Sequence, residues 1–259
     1  MTLAPTARFP LFLQLLGDEV RWQLVSALAY SDRRAQELAD QLGRPANLLS
    51  YHLKRLRQAH LVRQRRSAAD HRATYYSLDL PQVQALYAQT GAALHPALND
   101  TPQPNASAAD PALPPARVLF LCTHNSARSQ MAEALLRHLS QGAVEAYSAG
   151  TVATQINPVA LETMQARGIP MDGQRSKHLD EYRGQKFDYV VTVCDLARES
   201  CPLFPGDPEQ IHWSFPDPAA VPGLEARRRA FDRTATELTT RLNHLLLLIE
   251  RRRRAGAAP

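Results

Sequence analysis

The chain has 259 residues, 44% of them hydrophobic, and a formal net charge of +5, which is material for two ordinary domains, each with its own core. No apolar run is longer than the five residues from Leu245 to Ile249, far short of the roughly 20 that span a bilayer, and "FPLFLQLLG" behind the single Arg8 carries no small-residue cleavage site, so neither a membrane segment nor a secretory signal is expected. The three cysteines, Cys122, Cys194 and Cys201, all lie in the second half; this is no disulfide framework, and a cytoplasmic protein with reduced, reactive thiols is expected.

From the N-terminus, "LFLQLLGDEVRWQLVSALAY" carries apolar residues at helical spacing, "RAQELADQLG" ends on a glycine, and "ANLLSYHLKRLRQAHL" resumes the period, so that two short helices meet at Gly43 to Pro45. "LVRQRRSAADHRATYYSLDL" reads as two strands around a charged turn, and "LPQVQALYAQTGAAL" returns to helix. The pattern is that of a mainly α winged helix-turn-helix domain over residues 1–95. It is basic: Met1 to His95 hold 12 Arg and Lys against 7 Asp and Glu, and Tyr51 to Tyr76 hold 7 against 1. Such a patch suits a polyanion. Residues 96–116 contain six prolines and no Lys, Arg or aromatic residue, and read as a semi-rigid linker.

From 117 to 259 strands and helices alternate: "RVLFLC", a helix from about Ser126 to Leu139, "VEAYSAG", a helix entered by Asn157 and Pro158 and closed by Gly168, then "FDYVVTVC", "IHWSF" and a long helix from about Leu224. Asn before Pro at a helix start and Gly past its end are the expected caps. The alternation predicts an α/β domain, a parallel sheet with helices on both faces.

In such a sheet ligands sit at the carboxyl ends of strands, and "VLFLC" delivers Cys122 there. The loop Thr123, His124, Asn125, Ser126, Ala127, Arg128, Ser129 then offers backbone N–H groups at a helix N-terminus, an anion cradle, to which Arg128 adds a planar fork of donors. That positive environment is expected to hold Cys122 as a thiolate, ready to attack a bound oxyanion. The stretch "CTHNSARSQMAEA" resembles the loop of low-molecular-weight protein tyrosine phosphatases, and more closely their relatives, the thioredoxin-coupled arsenate reductases. The likeness runs from about Arg117 to Ile249 and implies a four-stranded parallel sheet, an oxyanion substrate and, in "FPDPA", Asp217 as the acid that protonates the departing oxygen. It further implies that Asn125 fixes the loop and Ser129 donates to Cys122. In some relatives a potassium ion binds near the loop, and Glu133 and Ser148 match two of the residues used. No metal-ligand spacing is present among the nine histidines, and no tightly bound cofactor is expected.

Cys194 ends "FDYVVTV" and so reaches the same sheet edge as Cys122, with Cys201 seven positions on. Seven steps span about 10 Å as helix and about 23 Å extended, whereas a disulfide needs Cα atoms roughly 4.4 to 6.8 Å apart; a turn of helix must open before the two can bond. The resemblance implies a relay in which Cys122 attacks arsenate, Cys194 attacks Cys122 with release of arsenite, and Cys201 takes over Cys194, leaving a disulfide for thioredoxin or a similar dithiol. A pure tyrosine phosphatase, or a transcriptional regulator whose phosphatase-like domain serves as a sensor, are the alternatives.

The first domain resembles the ArsR family of repressors over nearly all of residues 9–95. The likeness implies that the helix from about Ala46 to Gln58 enters the major groove of double-stranded DNA, with Asn47, Ser50, Tyr51 and His52 near base edges and Lys54, Arg55 and Arg57 on phosphates. The wing from Arg66 to Arg72 would reach the backbone or minor groove. The helices around Leu11 to Tyr30 and Pro81 to Leu94 would form a homodimer interface. Repressors of arsenic in that family hold arsenite with cysteines, and this domain has none.

Overall fold

A computed structural model describes residues 9–95, 115–199, 201–202 and 204–256; the expected linker falls, for residues 96–114, outside them. The chain divides into two compact units, each with its own apolar core.

In the N-terminal unit the first apolar stretch forms two helices, α1 (Leu11–Leu16) and α2 (Glu19–Ala27). The break arises because the Asp18 carboxylate accepts the Arg21 N–H at 3.0 Å and so starts a new helix. A two-residue strand β1 (Arg33–Arg34), not foreseen from sequence, precedes α3 (Ala35–Leu42) and α4 (Ala46–Gln58). Gly43 closes α3 in the left-handed region at φ +60°, the conformation glycine adopts without strain. Strands β2 (Val62–Arg66) and β3 (Thr74–Leu78) pair antiparallel, and β1 adds to the far side of β3. Helix α5 (Leu80–Leu94) follows. Leu49, Leu53 and Leu56 line one face of α4 and are buried with Leu24, Leu38 and Leu61, which leaves the polar face of α4 outward.

The C-terminal unit has β4 (Ala116–Cys122), α6 (Arg128–Ser140), β5 (Val144–Gly150), α7 (Pro158–Ala166), β6 (Tyr189–Thr192), α8 (Asp195–Glu199), β7 (Glu209–His212) and α9 (Leu224–Gly256). The sheet is parallel throughout in the order β5-β4-β6-β7. Val118 to Leu121 of the inner strand β4 are buried, which is why it reads as an uninterrupted apolar run. On α9, Phe231, Ala235, Leu238, Leu242, Leu245 and Ile249 recur at steps of three and four and are buried, so the arginine-rich helix still offers the sheet one apolar stripe. Because the strands are parallel, their carboxyl ends share one edge. There lie Cys122, Cys194 just past β6, and the loop from β7 to Asp217.

Candidate functional site

The loop between β4 and α6 is held from outside by its carbonyls. Thr123 O accepts from Val152 N at 2.8 Å, His124 O from Thr154 N at 3.2 Å and Ser176 Oγ at 3.0 Å, and Ser126 O from Asn157 N at 2.8 Å. In a trans peptide the N–H of the next residue points the opposite way, so the amides of His124, Asn125 and Ala127 face inward. The Asn125 N–H, at 3.1 Å from Cys122 Sγ, shows this directly. The turn requires φ +48° at Asn125, a residue type that tolerates the left-handed region. Its buried side chain donates to Ser129 Oγ at 2.9 Å and Ser148 Oγ at 2.8 Å and accepts from Gln130 Nε2 at 2.7 Å and Lys177 N at 2.8 Å. Gly150, at the end of β5, lets this loop come close.

Cys122 is buried, with Ser129 Oγ 2.9 Å from its sulfur. Sequence led us to expect a thiolate. In the structure burial pushes the thiol up and the neighbouring Cys194 adds to this, while Arg128, the Ser129 hydroxyl and the Asn125 amide pull it down; desolvation prevails because it penalises the charged form outright. Arg128 is 9% exposed. Its Nη1 donates to Phe215 O at 3.0 Å, its Nη2 lies 3.6 Å from Asp217 Oδ1, and its Nε is buried without a hydrogen-bond partner. An unsatisfied guanidinium N–H beside inward-facing amides is a costly arrangement that an oxyanion would relieve. Asp217 caps a 3₁₀ turn, Pro218–Ala220, by accepting from Ala219 N at 3.2 Å.

All three thiols are free. Cys194 is buried, with Thr123 Oγ1 3.4 Å from its sulfur, which also accepts from Ala197 N at 3.4 Å. Cys201 is half-buried beyond α8; burial raises its thiol, and Arg198 opposes this. Helix α8 is the segment that the sequence argument required to open.

Glu133 and Ser148 do come together, the hydroxyl donating to Glu133 Oε2. The carboxylate, 1% exposed, is also met by Lys177 Nζ at 3.2 Å on the same oxygen and by Arg137 at 2.5 Å on the other. Two side-chain cations already neutralise it, so these residues do not fit a potassium ion. Lys177 was not singled out from the sequence, since it lies 44 residues from the carboxylate it meets.

On the N-terminal unit, Asn47, Ser50, Tyr51, Lys54, Arg55 and Arg57 of α4 are exposed, as are Arg66 and Arg72 about the β2–β3 turn. Arg55 donates to Tyr51 Oη at 3.1 Å and stacks on its ring at 5.8 Å, which preorganises that face. His52 departs from expectation. It is 7% exposed, lying among the core leucines with Nδ1 3.4 Å from Asp18 Oδ1; one helical step past Tyr51 turns it to the inner face. Among the described residues no helix is long and apolar enough to cross a membrane, and no group of acidic, His and Cys side chains could hold a metal ion.

Residues 16–65 match a helix-turn-helix domain family, and residues 117–255 match the low molecular weight phosphotyrosine protein phosphatase family. The arsenate reductase of Halalkalibacterium halodurans is 40% identical over 126 residues, 48% of this chain and 91% of that protein. That of Bacillus subtilis is 39% identical over 126 residues, with the same shares. A solved arsenate reductase from Archaeoglobus fulgidus is 31% identical at a TM-score of 0.41, covering 50% of this chain and 98% of that one. With more than half of its length matched, the chain belongs to the low molecular weight phosphotyrosine protein phosphatase family, and it carries a helix-turn-helix domain ahead of that part.

Proposed function

We propose that the C-terminal unit reduces arsenate to arsenite through Cys122, Cys194 and Cys201, and that the N-terminal unit binds double-stranded DNA as a homodimer. The observation that carries the first part is the second thiol: Cys194 abuts Thr123, the residue after the nucleophile, at 3.4 Å, a placement that a phosphatase does not need. Arsenate sits on the inward amides and Arg128. Cys122 displaces one arsenate oxygen, which leaves as water with the thiol proton and one supplied through Asp217, forming a sulfur–arsenic bond. Cys194 then attacks Cys122 Sγ; the sulfur–arsenic electron pair goes to arsenic, which departs as arsenite, and a Cys122–Cys194 disulfide forms. Exchange with Cys201 frees Cys122 and leaves a Cys194–Cys201 disulfide, which thioredoxin or a similar dithiol reduces.

The DNA reading is supported by the exposed polar face of α4. Phe9, Leu11, Trp22, Tyr87 and Leu94, all more than half exposed on or beside α1, α2 and α5 apart from Leu11 at 50%, supply an apolar surface for the dimer. Arsenate-dependent NADPH oxidation through thioredoxin and thioredoxin reductase tests the relay. Cys122→Ser is expected to abolish it together with any aryl phosphate hydrolysis, whereas Cys194→Ser and Cys201→Ser abolish turnover and leave aryl phosphate hydrolysis. Equal loss of hydrolysis in all three variants would overturn the division of roles.

A further inference from the structure

Behind Cys194 lies a buried polar cluster that the relay chemistry does not use. Asp195, the first residue of α8, is 1% exposed. Its Oδ1 accepts from Ser214 Oγ at 2.7 Å and faces His212 Nε2 at 3.3 Å. His212 is fully buried, and its Nδ1 is 2.8 Å from Thr192 Oγ1. With Nε2–H directed at the carboxylate, Nδ1 is left to accept the Thr192 hydroxyl, so every ring nitrogen has a partner. Thr192 and His212 are themselves register partners of β6 and β7, and Trp213 N donates to Thr192 O at 2.8 Å.

The cluster therefore joins two parts of the site to the sheet. On one side Asp195 fixes the first turn of α8 and, through the adjoining residue, Cys194. On the other, Ser214 is followed by Phe215, whose carbonyl takes Arg128 Nη1 at 3.0 Å, and then by Asp217. A carboxylate removed from water costs much free energy unless it is fully hydrogen-bonded, and here His212 and Ser214, on and just past β7 and outside α8, meet it. At the far end of α8, Cys201 N lies 3.5 Å from Arg198 O, at the limit of a hydrogen bond, and the Cys201 thiol lies 3.7 Å from the neighbouring Pro202 carbonyl.

We propose that Asp195, His212 and Ser214 are positioning residues forming an anchor that keeps Cys194 and the Asp217 loop in place while α8 unwinds from its Cys201 end. Cys201 travels and Cys194 does not. The cluster itself is independent of chemistry, but this consequence rests on the three-cysteine reading above.

The test is hydrogen exchange read by mass spectrometry on the full chain, reduced and after oxidation by diamide, for the wild type, Asp195→Ala, Ser214→Ala and the conservative Asp195→Asn. In the wild type, oxidation is expected to release amides of 196–202 while 190–194 and 211–217 stay protected. In reduced Asp195→Ala, exchange over 193–197 and 211–217 is expected to rise at least tenfold. Ser214→Ala is expected to release only 213–217, Asp195→Asn, which keeps only one accepting oxygen, to lie between the wild type and Asp195→Ala, and the amides of 118–121 to be unchanged in all. Wild-type protection in reduced Asp195→Ala, or loss of protection spread equally over 118–121, would overturn the anchor. If peptide mapping finds no Cys194–Cys201 disulfide after oxidation, the relay reading fails, and the reduced-state comparison still decides the anchor.

Discussion

Gly150→Ala probes the closest backbone approach in the site. A Cβ at this position would lie 2.6 Å from Thr123 O, 2.8 Å from Asn125 N and 3.0 Å from Asn125 Cβ. Ordinary contacts to carbon begin at about 3.5 Å, so either β5 or the loop must retreat by roughly 0.5 to 1 Å. Neither is free to do so alone: Gly150 N donates to Lys177 O at 2.9 Å, and Val152 N to Thr123 O at 2.8 Å. The strain therefore moves the loop whose amides define the oxyanion site. A misplacement of about 1 Å costs on the order of 100-fold in rate, close to 2.7 kcal/mol of transition-state stabilisation; overpacking removes a further ~1–3 kcal/mol of fold stability. The assay is kcat/KM for arsenate with thioredoxin in excess, alongside a thermal melt to show that the variant is folded. The expected outcome is a 10- to 100-fold fall in kcat/KM. A folded Gly150→Ala variant with kcat/KM within about threefold of the wild type would refute the claim that this contact shapes the loop.

Lys177→Met leaves the buried Glu133 carboxylate with Arg137 as its cationic partner. Removing one member of a buried pair costs up to ~3–5 kcal/mol, and we expect the lower end or less because Arg137 and Ser148 remain; the melting temperature of the C-terminal unit should drop, and potassium chloride should restore it more than choline chloride of equal strength. An unchanged melting temperature would show that the ammonium is incidental. Ser129→Ala, made in a Cys194→Ser/Cys201→Ser background, removes a hydrogen bond that favours the Cys122 thiolate. The folded pKa then rises further, so the pH profile of iodoacetamide alkylation should shift upward and alkylation below the inflection should slow; a downward shift would reverse the assigned sign.

The sequence by itself determined the two-part organisation, the parallel α/β sheet and the loop from Cys122 to Ser129. Each of these is a local signal: a strand running into a helix through small polar residues, a Pro-rich gap, a period of 3.6 broken at Gly43. The same locality explains what the sequence did not reveal. Asp18 splits the first helix because its carboxylate caps the next one, a choice the apolar period alone does not reveal. His52 sits among basic residues in the chain, yet it faces inward, because the face it occupies is set by where Leu49, Leu53 and Leu56 pack. Nothing in the sequence links Lys177 to Glu133, or Asp195 to His212 and Ser214; only tertiary structure, by bringing β6, β7 and α6 together, removes them from water and joins partners 17 to 44 residues apart. Likewise the Cys122 thiol was read from its positive neighbours, but its balance is set by burial. Desolvation is a property of the whole fold and has no signature in any short stretch of chain.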